Sequence, residues 1–388
     1  MTRVTDMPCE VITAVFKQLD RIQFLLPCLL TCRHFYYSYK ADPSSAIEIL
    51  EQQVGPALLS YSIAVQEASS SPSPHVRLST TELLETLRIK PSILINRLRD
   101  YPLIALVQLG HTHDLVEKYA NGLARFAWGQ AQYYRGRSRP DRFSLSPTEE
   151  FRFYRAFYRV QLYIRLFRDD NTQIDQQVDM FFSGHSPWEN VQLACVYQYL
   201  DYRVSQVLYK ACVTEEAWGV NDPNDPIPGS YDSATQCLIS QGFELIEKLE
   251  DAKSPEEKQS VFKSTLTASR PRLQDFQDES CDRFLGSTYA LHHNNRDTAL
   301  DKDKEDRDKG PFTAWEAAIT PLFPGHKNIL NRRCAYVLWD LARIQKHDML
   351  RVCPLMPWAP RWRLFDHEDW FFHDIDRGIE YDRGVIEL

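Results

Sequence analysis

Residues 146–168 read SPTEEFRFYRAFYRVQLYIRLFR, and this stretch decides the fold class. Ser146 is followed by Pro147 and, three positions after the serine, by Glu149. A serine N-cap, a proline at the first helical position and a glutamate that closes a capping box together predict a helix start. Apolar side chains then recur at helical spacing: Phe153, Phe157, Val160, Ile164 and Phe167. The stretch therefore predicts an amphipathic helix over residues 148–168.

The same helix-start pattern occurs at three further places. Ser186 and Ser254 each precede a proline and, at the third position, a glutamate, while Ser79 precedes Glu82 without a proline. A second amphipathic helix is predicted from Leu330 to Lys346, where apolar residues recur at helical spacing: Leu330, Cys334, Val337, Leu341 and Ile344. Alternating strand patterns bounded by hairpin turns are almost absent. The sequence therefore predicts a mainly α-helical protein.

Composition and charge exclude several classes of protein. The 388 residues carry 45 Lys and Arg against 53 Asp and Glu, and a net charge of -8 argues against a dedicated duplex nucleic-acid binder. The 9 cysteines are irregularly spaced and no signal-peptide pattern is present, which indicates a reduced protein of the cytoplasm or nucleus. No apolar run approaches the ~20 residues that a membrane-spanning helix needs.

Three stretches predict loops: the Ser-Pro run at 69–74, the Asn-Asp-Pro run at 221–229 and the charged run at 301–309. The charged run has no apolar residue to bury, so we expect it to be solvated.

The first forty residues contain a compact apolar pattern. A proline leads into a predicted amphipathic helix with apolar residues from Val11 to Leu19, and Asp20 follows as a turn residue. Two short apolar pieces come next and end at Cys32-Arg33-His34-Phe35. A hairpin of about forty residues cannot bury all its apolar side chains alone, so we expect some to face a partner or the following domain.

This ordered set resembles the F-box, a family that opens with Leu-Pro and Glu and closes with Cys-Arg-x-Phe. The matching elements are Met7-Pro8, Glu10, Val11-Ile12, Val15-Phe16, Leu19-Asp20, Leu25-Leu26 and Cys32-Arg33-His34-Phe35. Met7 replaces the usual leucine, and Pro27 interrupts the second helix. The resemblance implies a small three-helix F-box-like unit over residues 5–42 and a larger, mostly α-helical domain over residues 43–388.

The resemblance also implies a function. An F-box docks through apolar contacts on the Skp-family linker of cullin–RING ubiquitin ligases, so the chain would be a non-catalytic adaptor without a cofactor. The helical domain would hold a protein target of unknown identity. The residues that the resemblance assigns to linker binding are Pro8, Val11, Ile12, Val15, Leu19, Leu25 and Leu29. The alternative is a non-ligase scaffold whose degenerate F-box packs on its own body and protects Val11, Val15 and Leu25.

The remainder is similar to a group of filamentous-fungal proteins that follow an F-box with a helical region. The similar stretches are 145–163, 187–196 and 333–340. This second resemblance implies an architecture and supplies no activity.

Few other residues suggest chemistry. A cluster near the C-terminus could hold a metal or form a charged, solvated segment, which is the interpretation we prefer: Asp366, His367, Glu368, Asp369, His373 and Asp374. Cys28 and Cys32 are expected to be buried small hydrophobes, and His111 and His113 to lie in a turn before a helix. No nucleophile elbow, phosphate-binding loop or dinucleotide fingerprint occurs.

Charge is unevenly distributed. Residues 118–168 contain eleven basic and three acidic side chains. This excess could dock an acidic or phosphorylated partner or RNA, with Arg135, Arg137 and Arg139 the candidates for a free surface. We prefer internal pairing, for which the acidic segment 366–388 offers partners.

Overall fold

The computed structural model describes residues 7–69, 78–134, 143–168, 176, 180–211, 231–268, 306–319 and 332–352. Within these ranges every regular element is a helix, so the predicted mainly α class is confirmed. The α-helices are α1 Cys9–Phe16, α2 Leu25–Thr31, α3 Arg33–Ala41, α4 Ser44–Val54, α5 Pro56–Ser69, α6 Thr80–Ile89, α7 Pro91–Asn96, α8 Leu103–Tyr134, α9 Pro147–Phe167, α10 Pro187–Ala211, α11 Tyr231–Ile239, α12 Phe243–Asp251, α13 Pro255–Ala268, α14 Gly310–Ile319, α15 Leu341–Lys346 and α16 Met349–Val352. Short 3₁₀ helices span Ile22–Phe24 and Arg97–Asp100.

Helix α9 lies at the centre of the body, where α5, α8 and α10 pack against it. The predicted capping box is present: the Glu149 backbone N–H donates to Ser146 Oγ (3.1 Å), and the Ser146 N–H donates to Glu149 Oε2 (3.0 Å). The predicted apolar stripe from Phe153 to Phe167 is buried along its whole length. The interpretation of residues 148–168 as a core helix is therefore confirmed.

The other three predicted helix starts are confirmed as well. Ser79 forms a complete capping box at α6. Ser186 and Ser254 make the same pair of hydrogen bonds with Glu189 and Glu257 at the starts of α10 and α13. The local pattern fixes these boundaries because each cap satisfies backbone N–H groups that the first helical turn leaves unpaired.

The predicted helix from Leu330 to Lys346 is wrong; Leu330 itself lies outside the described residues. Helix α15 begins only at Leu341, and the preceding residues turn back through Ala335, whose φ is 48°. Side chains from other helices bind the carbonyls exposed by this turn: Gln192 Nε2 donates to Val337 O (3.1 Å) and Arg152 Nη1 donates to Leu338 O (3.2 Å). Tertiary hydrogen bonds thus replace the helical ones.

The charged stretch 301–309 is not wholly solvated. Asp306 is buried and pairs with the buried guanidinium of Arg152. An aspartate without apolar neighbours in sequence can be buried when an arginine compensates its charge. Residues 301–305 of this stretch, and the predicted loop segments 70–74 and 221–229, lie outside the described residues, while Ser69 ends α5.

His111 and His113 do not lie in a turn before a helix, because both are inside α8. Asp114, which follows them, caps nothing and instead accepts hydrogen bonds from Gln53 Nε2 (2.8 Å) and from Arg21 and Gln23. Residues 111–114 therefore lie within a long helix, and Asp114 connects this helix to α4 and to the segment that contains Arg21 and Gln23.

Candidate functional site

Helix α1 presents apolar side chains in two adjacent directions. Ile12 and Phe16 are buried, and the Phe16 ring meets the Phe35 ring of α3 edge-on with centroids 5.5 Å apart. Val11 and Val15 precede them by one residue each and are 45% and 58% exposed. Since one residue turns a helix by about 100°, the two i, i+4 pairs point in different directions, and the packing of α1 on α3 covers the direction of Ile12 and Phe16. One apolar pair therefore remains in solvent.

Helix α2 repeats this arrangement. Leu25 and Leu29 are buried, whereas Leu26 and Leu30 are 36% and 78% exposed. Pro27 is the third residue of α2, where its missing N–H is not required, so the helix tolerates the proline in its first turn. Both α1 and α2 pack against α3. We call Val11, Val15, Leu26 and Leu30 the N-terminal apolar surface.

The seven residues predicted for linker binding separate into two groups. Pro8, Val11 and Val15 are exposed, Leu19 is half-buried, and Ile12, Leu25 and Leu29 are buried. Sequence reasoning missed other exposed apolar side chains of the same unit: Met7, Phe24, Leu26 and Leu30. The signal that could have found two of them is the i, i+4 pair Leu26–Leu30 beside the pair Leu25–Leu29.

Helices α1, α2 and α3, which we call the N-terminal unit, contact the helices that follow them through the 3₁₀ helix Ile22–Phe24. Ile22 is fully buried against Gly110 of α8, where an added Cβ would collide with Ile22 Cγ2. The Ile22 N–H donates to Gln53 Oε1 of α4 (3.1 Å). Arg21 completes the contact by pairing with Asp114 and with Glu117 (2.8 Å). Apolar and charged contacts therefore fix the unit on α4 and α8.

Three arginines of α9, Arg152, Arg155 and Arg159, are buried and form ion pairs within the protein. Arg152 contacts Asp306 and Asp340, the latter at 2.8 Å. The other two arginines share Glu189 of α10: Arg159 lies 2.5 Å and Arg155 3.4 Å from Glu189 Oε1. These acids are not those of segment 366–388, which lies outside the described residues together with Arg135, Arg137 and Arg139.

An open cavity of about 620 Å³ lies at the start of α9. Its lining consists of Trp128, Ser144, Ser146, Glu149, Asp340, Ala342, Arg343, Lys346 and His347. The charged side chains that line the cavity form hydrogen bonds and ion pairs with other protein groups. Both Glu149 oxygens accept from Arg343 (2.6 Å each), and Asp340 pairs with Arg152. The Arg343 guanidinium also lies 5.2 Å from the centre of the Trp128 ring. These contacts connect α8, α9 and α15. We therefore interpret the cavity as the space where these three helices meet and not as a ligand site.

Within the described ranges no group of three metal-ligating side chains could hold an ion. The His-Asp cluster at 366–374 lies outside those ranges. Cys28 in α2 and Cys32, which lies between α2 and α3, are half-buried rather than fully buried as expected. No helix among the described residues has the length and hydropathy to span a membrane.

Comparison with known proteins finds no family, no curated protein and no solved structure that matches this chain.

Proposed function

We propose that the chain is a non-catalytic adaptor of the F-box type, whose N-terminal apolar surface binds the Skp-family linker of a cullin–RING ubiquitin ligase. The helical body would hold a target protein while other subunits transfer ubiquitin. The single observation that supports this function is the pair of exposed i, i+4 apolar pairs on α1 and α2. Burying such side chains contributes about 25 cal/mol for each Å² removed from water, so they favour a partner.

The exposures of Val11 and Val15 favour this proposal over a scaffold whose hairpin is covered by its own body. In that alternative Val11, Val15 and Leu25 would all be protected; Leu25 is buried, whereas Val11 and Val15 are 45% and 58% exposed. The observation in favour of the scaffold is the packing of Ile22 on α8, which uses a different part of the unit. Substitutions at Val11 and Val15 therefore test the proposed linker binding, whereas substitutions at Ile22 would test only the packing of the N-terminal unit on α8.

The test is linker binding by a Val11→Asp/Val15→Asp variant. Both side chains are exposed, so the substitutions leave the core intact, whereas replacing the buried Ile12 would disturb folding. The matched control is Ile89→Asp/Ile93→Asp, which places the same charges on two exposed isoleucines of the body. We expect the first variant to lose at least about 30-fold in affinity and the control to bind like the wild type. Equal binding by all three proteins would overturn the proposal.

A further inference from the structure

We infer that Asp114 of α8 is the positioning residue of the N-terminal unit: its carboxylate sets the orientation of the unit relative to the helices that follow. Because this orientation is a property of the chain alone, it does not depend on the proposed function or on which partner binds the unit. The observation that supports the inference is the convergence of three hydrogen-bond donors, from two segments of the chain, on this one carboxylate.

The apolar contact of Ile22 leaves one motion unrestrained. Ile22 is fully buried, and its Cγ2 occupies the place where a Cβ on Gly110 would lie. The hydrophobic effect has no preferred direction, so one buried side chain holds the 3₁₀ helix on α8 without fixing its rotation about the point of contact. A directional restraint is needed to fix the orientation of the unit.

Asp114 supplies this restraint on both sides of Ile22. Arg21 and Gln23, the two neighbours of Ile22 in sequence, donate to different oxygens of the Asp114 carboxylate. Because hydrogen bonds weaken steeply away from linear geometry, donors on either side of a pivot oppose rotation about it. Arg21 also pairs with Glu117 (2.8 Å), but that contact reaches only one side of Ile22.

The third donor connects the carboxylate to α4. Gln53 Nε2 donates to Asp114 Oδ1 (2.8 Å) and to Gly110 O (3.1 Å). These bonds orient the Gln53 amide so that its oxygen accepts from the Ile22 N–H (3.1 Å). Asp114 therefore acts on the 3₁₀ helix through Gln53 as well as directly.

The experiment measures the distribution of distances between the N-terminal unit and the body by double electron–electron resonance on the full chain. Spin labels are attached to ketone-bearing amino acids introduced at Tyr37 and Ile89, which are 59% and 61% exposed, so that the native cysteines stay unlabelled. The test variant is Asp114→Asn, which keeps the size of the side chain and places an amide nitrogen against the donors. We expect its distribution to be at least about twofold wider than that of the wild type, because Ile22 then holds the unit without a directional restraint.

The matched control is Glu67→Gln. Glu67 is also a partly buried carboxylate that accepts from two side chains, Arg97 (2.8 Å) and Tyr101, but it connects α5 to the residues that precede α8. We expect this variant to keep the wild-type distribution. A second test variant, Arg21→Ala/Gln23→Ala, removes two donors from the opposite side and should widen the distribution as Asp114→Asn does. It decides the question if Asp114→Asn does not fold.

Each result has a clear meaning. A wider distribution in the test variants and not in the control supports the inference. An unchanged distribution in a folded test variant would show that the packing of Ile22 fixes the orientation by itself, and the inference would be wrong. Equal widening in Glu67→Gln would show a general loosening of the fold and would also overturn it. None of these results bears on linker binding, which tests the proposed function separately.

Discussion

Glu189 and Glu257 occupy the same position in two copies of one sequence pattern, yet their surroundings differ. Glu257 is exposed and serves only as part of a cap. Glu189 is buried, accepts from the Ser186 N–H (2.8 Å) and lies between Arg155 and Arg159. Burial alone would raise the pKa of Glu189, but the two guanidinium groups hold that pKa below its usual value. The sequence pattern predicts both caps, but it cannot show that Glu189 is buried while Glu257 is exposed.

We therefore expect Glu189→Gln to lower the free energy of unfolding by about 3–5 kcal/mol, because it leaves two buried arginines short of charge compensation. Glu257→Gln should cost less than about 1 kcal/mol, as for an exposed cap. Urea denaturation of both variants measures the difference. Similar losses would show that Glu189 contributes only as a capping residue.

The buried His113 makes stability depend on pH. Burial lowers the pKa of His113 to about 4, and its Nδ1 lies 2.9 Å from the Tyr158 hydroxyl. Since the pKa is lower in the folded protein, the unfolded chain binds the proton first. Stability is complete above the unfolded value near 6.5 and is lost as the pH falls towards 4.

Between neutral pH and about pH 5 we expect His113 to contribute about 2 kcal/mol to the loss of stability. In a His113→Asn variant, the free energy of unfolding should fall by about 2 kcal/mol less than in the wild type over the same pH interval. Urea denaturation at both pH values measures this difference. His185, whose pKa burial lowers to about 3, remains in the variant and adds its own loss. An unchanged pH dependence in the variant would contradict the assignment of a neutral buried histidine.

At the scale of elements, the sequence predicts helices well where the signal is local. The box Ser146–Glu149 and the stripe that follows it specify α9 because the cap joins residues three positions apart and the apolar side chains recur at the helical period. The stretch 334–340 has the same apolar spacing and is also buried, from Cys334 to Trp339, but no capping box begins a helix there. Its conformation depends on Gln192 and Arg152, which are distant in sequence, so periodicity alone could not predict it.

The contact of the 3₁₀ helix Ile22–Phe24 with α8 gives a prediction for Gly110. Replacing Gly110 by alanine would place a Cβ against Ile22 Cγ2 and 2.9 Å from Gln53 Oε1. We expect a loss of about 1–3 kcal/mol, since overpacking forces neighbouring side chains to move. Hydrogen exchange should accelerate at residues 22–29 and remain unchanged in α9. Unchanged exchange at residues 22–29 would contradict this prediction, because it would show that the packing site of Ile22 accommodates the added methyl group.

At the scale of the whole molecule, the N-terminal unit keeps an apolar surface in solvent while Ile22 and Arg21 fix the unit on the body. A partner on α1 and α2 would thus be held in a defined orientation relative to the helical body. The sequence could locate this surface at Val11 and Val15, but it could not separate them from Ile12. Only the packing of α1 on α3 decides which of two adjacent apolar pairs is buried.

The most direct measurement is the mass of the complex after co-expression of the full chain with a Skp-family linker, determined by light scattering during size exclusion. We expect a single species whose mass equals that of the 45.3 kDa chain plus one linker. The Val11→Asp/Val15→Asp variant should elute alone and remain folded. A wild-type chain that elutes at its own mass in the presence of excess linker would contradict the proposed function.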